Sequence, residues 1–365
     1  MELHALVAGL VLTSGVVALF AWERYRRRQE ARAWLESVRS VISGDPDAAI
    51  EALSDAARLR SPQAVDTYLA LGQLFRRTGD LSRALRLHRN MLLGRDLPPT
   101  RRAEVERELA EDYRRSGMLG EATEIYRRLA PADPAAAEGL REVLVEGGDL
   151  LGAIEVQRGR VPEGPDPVRA HLLAARARSL LPRDPAAAAE AAAAAVLAHP
   201  ESADARLATA ELAAARGDTR AALRALAEAL DLDPRCAPLA WPALAMLPEA
   251  DAVAAFVEGR LAARPDDATL HLLRGRALAR LGRDGEALAA LRQALALDRS
   301  GEALHGLREL LQDPRAAGPG DVAARHALLV EVLARRHPPL TCRRCGAGAA
   351  GHGFRCGSCG AYGLI

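Results

Sequence analysis

Four of the five cysteines of this 365-residue chain form two tight pairs near its C-terminal end. Two residues separate Cys342 from Cys345 and Cys356 from Cys359, and ten residues lie between the pairs. Two intervening residues let a turn aim both sulfurs at one ion, and two such turns complete a tetrahedron of thiolates. We therefore predict that these four cysteines hold one structural metal ion. Zinc is the ion that we expect; iron bound by four thiolates would use the same ligands.

Four sulfurs fill a tetrahedral site, so no position is left for a catalytic water. Gly346 and Gly360 follow the second cysteine of each pair, where a glycine allows a tight backbone turn. His352 lies between the pairs and could replace one ligand. Disulfides and a thioredoxin-like redox pair are the other uses of such spacing, but no βαβ pattern surrounds either pair. Phe354 and Tyr362 either cover the site or dock it on the rest of the protein.

The start of the chain bears on where this site is placed in the cell. Residues 3–22, LHALVAGLVLTSGVVALFAW, contain no Asp, Glu, Lys or Arg. Twenty helical residues span about 30 Å, the thickness of the hydrocarbon core of a bilayer. Arginines 24, 26, 27 and 28 follow this run, whereas a cleaved signal carries its charges before it. We predict an uncleaved transmembrane anchor (1–22), a basic juxtamembrane segment (23–29) and a cytoplasmic body.

The middle of the chain carries a repeat of about 34 residues. In YLALGQLFRRTGDLSRALRLHRNML, small residues at Gly72 and Ala84 allow two helices to approach closely, and Leu71 and Phe75 fill the groove between them. Gly79 stands where the first helix should end. These are the spacings of the tetratricopeptide repeat. The key alanines of successive copies are Ala49, Ala84, Ala122, Ala153, Ala189 and Ala222, and Ala287 follows after room for one degenerate copy.

The repeats predict an all-α fold, a tetratricopeptide-repeat α-solenoid over residues 30–336, before a metal-binding domain at 337–365. Stacked repeats bury a continuous core and expose an elongated face that usually binds peptides or proteins. His88 and Cys236 are expected to be packed rather than reactive. Arg76 and Arg77 are expected to belong to a solvated face.

Composition argues against several classes of function. The net charge is +1, and the cysteine segment has three arginines and one aromatic ring between its ligands, so no nucleic acid partner is expected. The chain contains no lysine, which excludes a P-loop or a Schiff-base lysine. There is no HExxH and no GxSxG. We therefore do not expect an enzyme.

The whole pattern resembles the lipopolysaccharide assembly protein B family of Gram-negative bacteria. LGQLFRRTGDLSRALRLH (71–88) and DYRRSGMLGEA (112–122) look like successive repeats of that family, and CRRCG…FRCGSCGAYG resembles its rubredoxin-like zinc ribbon. The chain departs from the family at Gly357, where proline is usual, and at Phe354 and Tyr362, which replace tryptophans.

The resemblance implies an inner-membrane adaptor that regulates lipopolysaccharide synthesis. Such an adaptor helps an FtsH-type membrane protease to degrade the lipid A deacetylase, and an inner-membrane antagonist protein can relieve this degradation. The alternative is a membrane-anchored scaffold for another envelope-assembly complex, without a proteolytic role. Self-association stays open.

Overall fold

The structure is a computed structural model that describes residues 15, 17–19, 21–25, 64–93, 97–161, 163–298, 327–328, 330–332, 340–348 and 353–363. The following helices are defined within these residues. They are α1 (Ala64–Arg77), α2 (Leu81–Leu92), α3 (Pro99–Arg115), α4 (Leu119–Leu129), α5 (Pro134–Glu146), α6 (Leu150–Arg160), α7 (Pro167–Leu180), α8 (Pro185–Ala198), α9 (Ala203–Ala215), α10 (Thr219–Leu232), α11 (Trp241–Met246), α12 (Ala250–Ala263), α13 (Ala268–Arg280) and α14 (Asp284–Leu297).

The chain divides into two compact units, Met1–Asp149 and Leu150–Ile365. In the first unit, α1 to α4 each pack against the next helix along the chain. In the second unit, α7 packs on α8 and α9, α9 on α10, and α13 on α14. Within the described residues both units are built from antiparallel helices, which confirms the predicted tetratricopeptide architecture.

Seven of the described helices begin at a local signal that the sequence carries. Asp80, Asp133, Asp166, Asp184, Ser202, Asp218 and Asp267 each accept a hydrogen bond from a backbone N–H of the first turn. Such caps satisfy amide groups that have no partner inside the helix. Gly79, predicted to end the first helix, adopts a positive φ of 86°, and Gly282 after α13 has a positive φ of 70°. The helix boundaries therefore follow from short-range chemistry.

The core rests on two recurring positions of the second helix of each repeat. The fourth residue is small and buried at Ala84, Ala122, Ala153, Ala188, Ala222 and Ala287, and Val253 takes this position in α12. The eighth residue is His88, Tyr126, Gln157, Ala192, Leu226, Val257 or Leu291, and all seven are buried. In two repeats, the first helix carries a glycine at the point where it contacts the eighth residue of the second helix. A Cβ at Gly72 would lie 2.2 Å from Nε2 of His88, and one at Gly275 would lie 2.5 Å from a methyl carbon of Leu291.

One predicted repeat position was wrong. Ala189 is only partly buried, and Ala188 occupies the small-residue position of α8. Asp184 caps this helix and Pro185 opens it, so the fourth residue is Ala188. The error arose because PAAAAEAAAAAV offers several alanines in a row.

The degenerate repeat lies where it was predicted, between α10 and α13. A 3-10 helix (Pro234–Ala240) and the six-residue α11 replace its regular first helix. Pro238 lies inside the 3-10 helix, and proline cannot donate the backbone hydrogen bond of a longer α-helix. Cys236 is wholly buried there, and burial raises the pKa of its thiol to about 12. The prediction that Cys236 is packed is confirmed.

Several predicted features fall mostly outside the described residues. Of the anchor 1–22, residues 15, 17–19, 21 and 22 are described, and they are helical. Within the described part of the chain, no helix has both the length and the apolar character needed to span a bilayer. The first repeat around Ala49 is not described, nor are His352 and most of the segment around residue 336. The anchor and the domain boundaries at residues 22, 29 and 336 stay predictions.

Candidate metal centre and its docking on the repeats

The two cysteine pairs fold into turns of the same design. The N–H of Gly346 donates to the carbonyl of Cys342 at 2.8 Å, and that of Gly360 donates to Cys356 at 2.9 Å. Both glycines have positive φ, 71° and 66°, a region that other residues rarely adopt. The N–H of the first cysteine of each pair then closes the turn on the carbonyl five residues ahead, at 2.9 Å in both. The glycines predicted to tighten the turns do so.

These turns bring the four sulfurs to one point. Sγ of Cys342 lies 3.8 Å from Sγ of Cys359, and Sγ of Cys345 lies 3.8 Å from Sγ of Cys356. All four ligand atoms lie within 4.8 Å of one another. Four sulfurs at about 2.3 Å from a tetrahedral ion are about 3.8 Å apart, whereas a disulfide bond is about 2.05 Å long. The cluster therefore has the dimensions of a metal site, and each cysteine in it is a free thiol.

Electrostatics also favour a cation in this cluster. The backbone N–H of Cys359, followed by that of Ser358, lowers the pKa of the Cys356 thiol. Desolvation raises the pKa of Cys359, and the thiols of its neighbours add to this effect. The thiolate of Cys356 is thus stabilised by backbone dipoles, while the neighbouring thiol of Cys359 resists ionisation. Four thiolates so close together require a positive ion between them.

Aromatic rings dock the second turn on the repeats. The ring centroid of His171, on α7, lies 5.4 Å from that of Phe354 and 5.6 Å from that of Tyr362. Phe354 also packs against the hydrophobic cluster formed by α9 to α13. Of the two predicted roles for Phe354 and Tyr362, docking on the helical body is the one observed. A Cβ at Gly357 would meet no heavy atom within 4 Å, so the turn has open space where the family usually has proline.

The docking histidine belongs to a buried charge network. Nδ1 of His171 lies 2.8 Å from Asp204, a residue of α9 whose side chain is 3% exposed. Arg178 pairs with the same carboxylate at 2.7 Å and with Glu211 at 2.8 Å. Burial works to lower the pKa of Arg178, but the two carboxylates outweigh it and the pKa is raised. The network ties α7 to α9 directly beneath the docked rings.

A second buried network lies in the first unit and joins α1, α2 and α3. His88 is wholly buried, and its Nδ1 lies 2.5 Å from Oδ2 of Asp112. Arg76 donates to Oδ1 of Asp112 and to Glu108, each at 2.6 Å. His88 is packed, as predicted, but Arg76 is engaged between repeats instead of facing solvent alone. Because Asp112 belongs to the next repeat, no spacing within one repeat could reveal this pair.

These features define a tetratricopeptide-repeat protein with a four-cysteine cluster that could hold a metal ion. Residues 43–95, 183–238 and 250–302 match the family described as tetratricopeptide repeat. A solved structure of the C-terminal part of a repeat-containing protein from Cytophaga hutchinsonii aligns with a TM-score of 0.44 at 14% identity. That alignment covers 74% of this chain and 98% of the other.

The curated relatives of this chain carry one name. Lipopolysaccharide assembly protein B of Escherichia coli (strain K12) is 24% identical over 176 residues, which are 45% of this chain and 45% of that protein. The protein of the same name from Haemophilus influenzae is 24% identical over 153 residues, 37% of this chain and 39% of its own length. The matched stretch thus spans less than half of these relatives. The resemblance predicted from the sequence is confirmed.

Proposed function

We propose that this chain is an inner-membrane adaptor that restrains lipopolysaccharide synthesis. It presents the lipid A deacetylase to an FtsH-type membrane protease, which degrades the enzyme. The observation that carries this proposal is the similarity to lipopolysaccharide assembly protein B in a chain that also has tetratricopeptide hairpins and a C-terminal four-thiol cluster.

Physical reasoning supports an adaptor. A transmembrane anchor at residues 1–22 would keep the body beside a protease of the same membrane. Tethering makes the second encounter intramolecular, so a weak grip on the deacetylase suffices for its delivery. The arginines that follow the proposed anchor favour a cytoplasmic position for the repeats, where the deacetylase would be met.

The buried polar groups support a role without catalysis. His88 and Asp112 are both fully enclosed, and they hold one repeat to the next. The His171 network is similarly occupied by contacts between helices and with the cysteine segment. We propose that the four cysteines bind one zinc ion that stabilises the segment, since thiolates are ligands that zinc prefers.

The proposal is tested by the intracellular half-life of the lipid A deacetylase with this chain present and depleted. We expect a longer half-life on depletion, restored by the intact chain but not by a chain that lacks residues 1–22. An unchanged half-life would contradict the adaptor role and favour a scaffold for another envelope-assembly complex. An inner-membrane antagonist, if present, should lengthen the half-life only while this chain is expressed.

A further inference from the structure

We propose that His171 is a positioning residue for the metal centre, which it couples to the charge network of α7 and α9. The observation that supports this proposal is a histidine ring stacked against both aromatic residues that flank the second cysteine pair. The inference rests on metal binding by the four cysteines and is independent of any role in lipopolysaccharide synthesis.

The two aromatic rings are joined rigidly to the metal ligands. Phe354 precedes Cys356 by two residues, and Tyr362 follows Cys359 by three. An antiparallel bridge links Arg355 with Tyr362, and the N–H of Gly363 donates to the carbonyl of Phe354 at 2.9 Å. The two rings are therefore held together only when the turn of the second cysteine pair is folded.

His171 is held in the orientation that meets these rings. The planes of His171 and Tyr362 differ by 13°, and those of His171 and Phe354 by 30°, so both pairs are stacked. The 2.8 Å contact with Asp204 fixes the imidazole, whose side chain is 14% exposed. Arg178 pairs with the other oxygen of the Asp204 carboxylate, Oδ1. A continuous set of contacts thus runs from the ligand turn to two helices of the repeats.

Metal binding and docking must therefore depend on each other. The segment has few apolar side chains, so metal binding supplies much of its folding free energy. The stacking is gained only in the folded segment, and so it adds to the apparent metal affinity. A stacked aromatic pair is worth a factor of about two to ten in an equilibrium constant. Removal of both pairs should weaken metal binding about tenfold, and by reciprocity metal binding should stabilise α7 and α9.

The full-length zinc-loaded chain allows a direct test by competition with a chromophoric chelator. We expect His171→Ala to weaken zinc binding about tenfold. His171→Phe keeps a ring for stacking but loses the bond to Asp204, and it should stay within about threefold of the unchanged chain. His271→Ala is the matched control, because His271 lies in the first turns of α13 and bonds instead to the carbonyl of Pro265 at 2.8 Å. It should leave zinc affinity unchanged.

Hydrogen exchange supplies a readout that does not depend on any variant. Zinc removal from the unchanged chain should speed amide exchange in α7 and α9 and leave α3 unaffected. Equal zinc affinity in the His171→Ala and His271→Ala variants would overturn the proposal. Unaltered exchange of α7 and α9 on zinc removal would overturn it as well, even if His171→Ala fails to fold.

Discussion

Replacement of Gly72 by alanine tests how closely the first two described helices pack. Gly72 lies in α1, where the new Cβ would come within 2.2 Å of Nε2 of His88. Carbon and nitrogen atoms in contact prefer about 3.5 Å, so the imidazole would have to retreat by roughly 1.3 Å. His88 is wholly buried and held by Asp112, so such a retreat would strain its contact with that carboxylate.

The expected magnitude is the balance of three effects. Overpacking of a full core costs about 1–3 kcal/mol. Displacement of the His88 ring from the Asp112 carboxylate costs about 1.5–3 kcal/mol more if the bond is lost. Alanine gains about 1 kcal/mol over glycine inside a helix. We therefore expect Gly72→Ala to destabilise α1 and α2 by about 2–4 kcal/mol.

The measurement is local stability by hydrogen exchange of α1 and α2 in the full-length chain. Gly259→Ala is the control, because Gly259 lies within α12 and a Cβ there would meet no heavy atom within 4 Å. It should stabilise its helix by up to about 1 kcal/mol. In a His88→Ala background, Gly72→Ala should lose most of its cost, since the clashing ring is gone. A Gly72→Ala chain as stable as the original, or a cost that persists without His88, would refute the packing argument.

Three further perturbations follow from the same structure. Cys342→Ser and Cys359→Ser should each release the metal and unfold the cysteine segment, while the helical circular dichroism signal of the repeats persists. Stoichiometric metal retained in both variants would rule out a four-thiolate site. Asp112→Asn should lower the unfolding free energy of the first repeats by about 3 kcal/mol, because it leaves the buried His88 and the half-buried Arg76 without the carboxylate that they share. The measurement is hydrogen exchange, and a loss below about 1 kcal/mol would be inconsistent with the network. Burial acts to raise the pKa of Glu111, but hydrogen bonds and charge from two arginines of its own helix outweigh it and hold the pKa below its usual value. Its contribution should be complete above the unfolded pKa of about 4.3 and lost as the pH falls through the lowered value, so Glu111→Gln should flatten the acid end of the stability curve.

The repeats could be predicted from the sequence because the residues that start and end their helices act locally. Gly79 was assigned to the end of a helix and has positive φ, as do Gly117, Gly217 and Gly282 in later repeats. A left-handed turn almost demands glycine, so the residue type alone reveals the backbone. Among the described repeats, the predicted position of the small residue was wrong at α8, where successive alanines carry no such marker. The cap at Asp184 was the signal that could have corrected it.

Contacts between distant positions could not be predicted in the same way. His88 meets Asp112 across two repeats, and His171 meets Phe354 across most of the second unit. Polar pairs of this kind have no fixed spacing, because they depend on how successive helices stack. For Phe354 the residue type indicated a packed ring but left its partner open. The clustering of the four cysteines was predictable because two residues between the members of each pair is a spacing typical of metal sites.

The most direct test of the adaptor role is degradation of the lipid A deacetylase by the purified membrane protease in lipid vesicles. The initial rate would be compared with the intact chain, with a chain lacking residues 1–22 at equal concentration, and with no addition. We predict a faster rate with the intact chain and a much smaller effect without the anchor, because tethering raises the effective concentration of the substrate. The same rate in all three reactions would contradict the adaptor account.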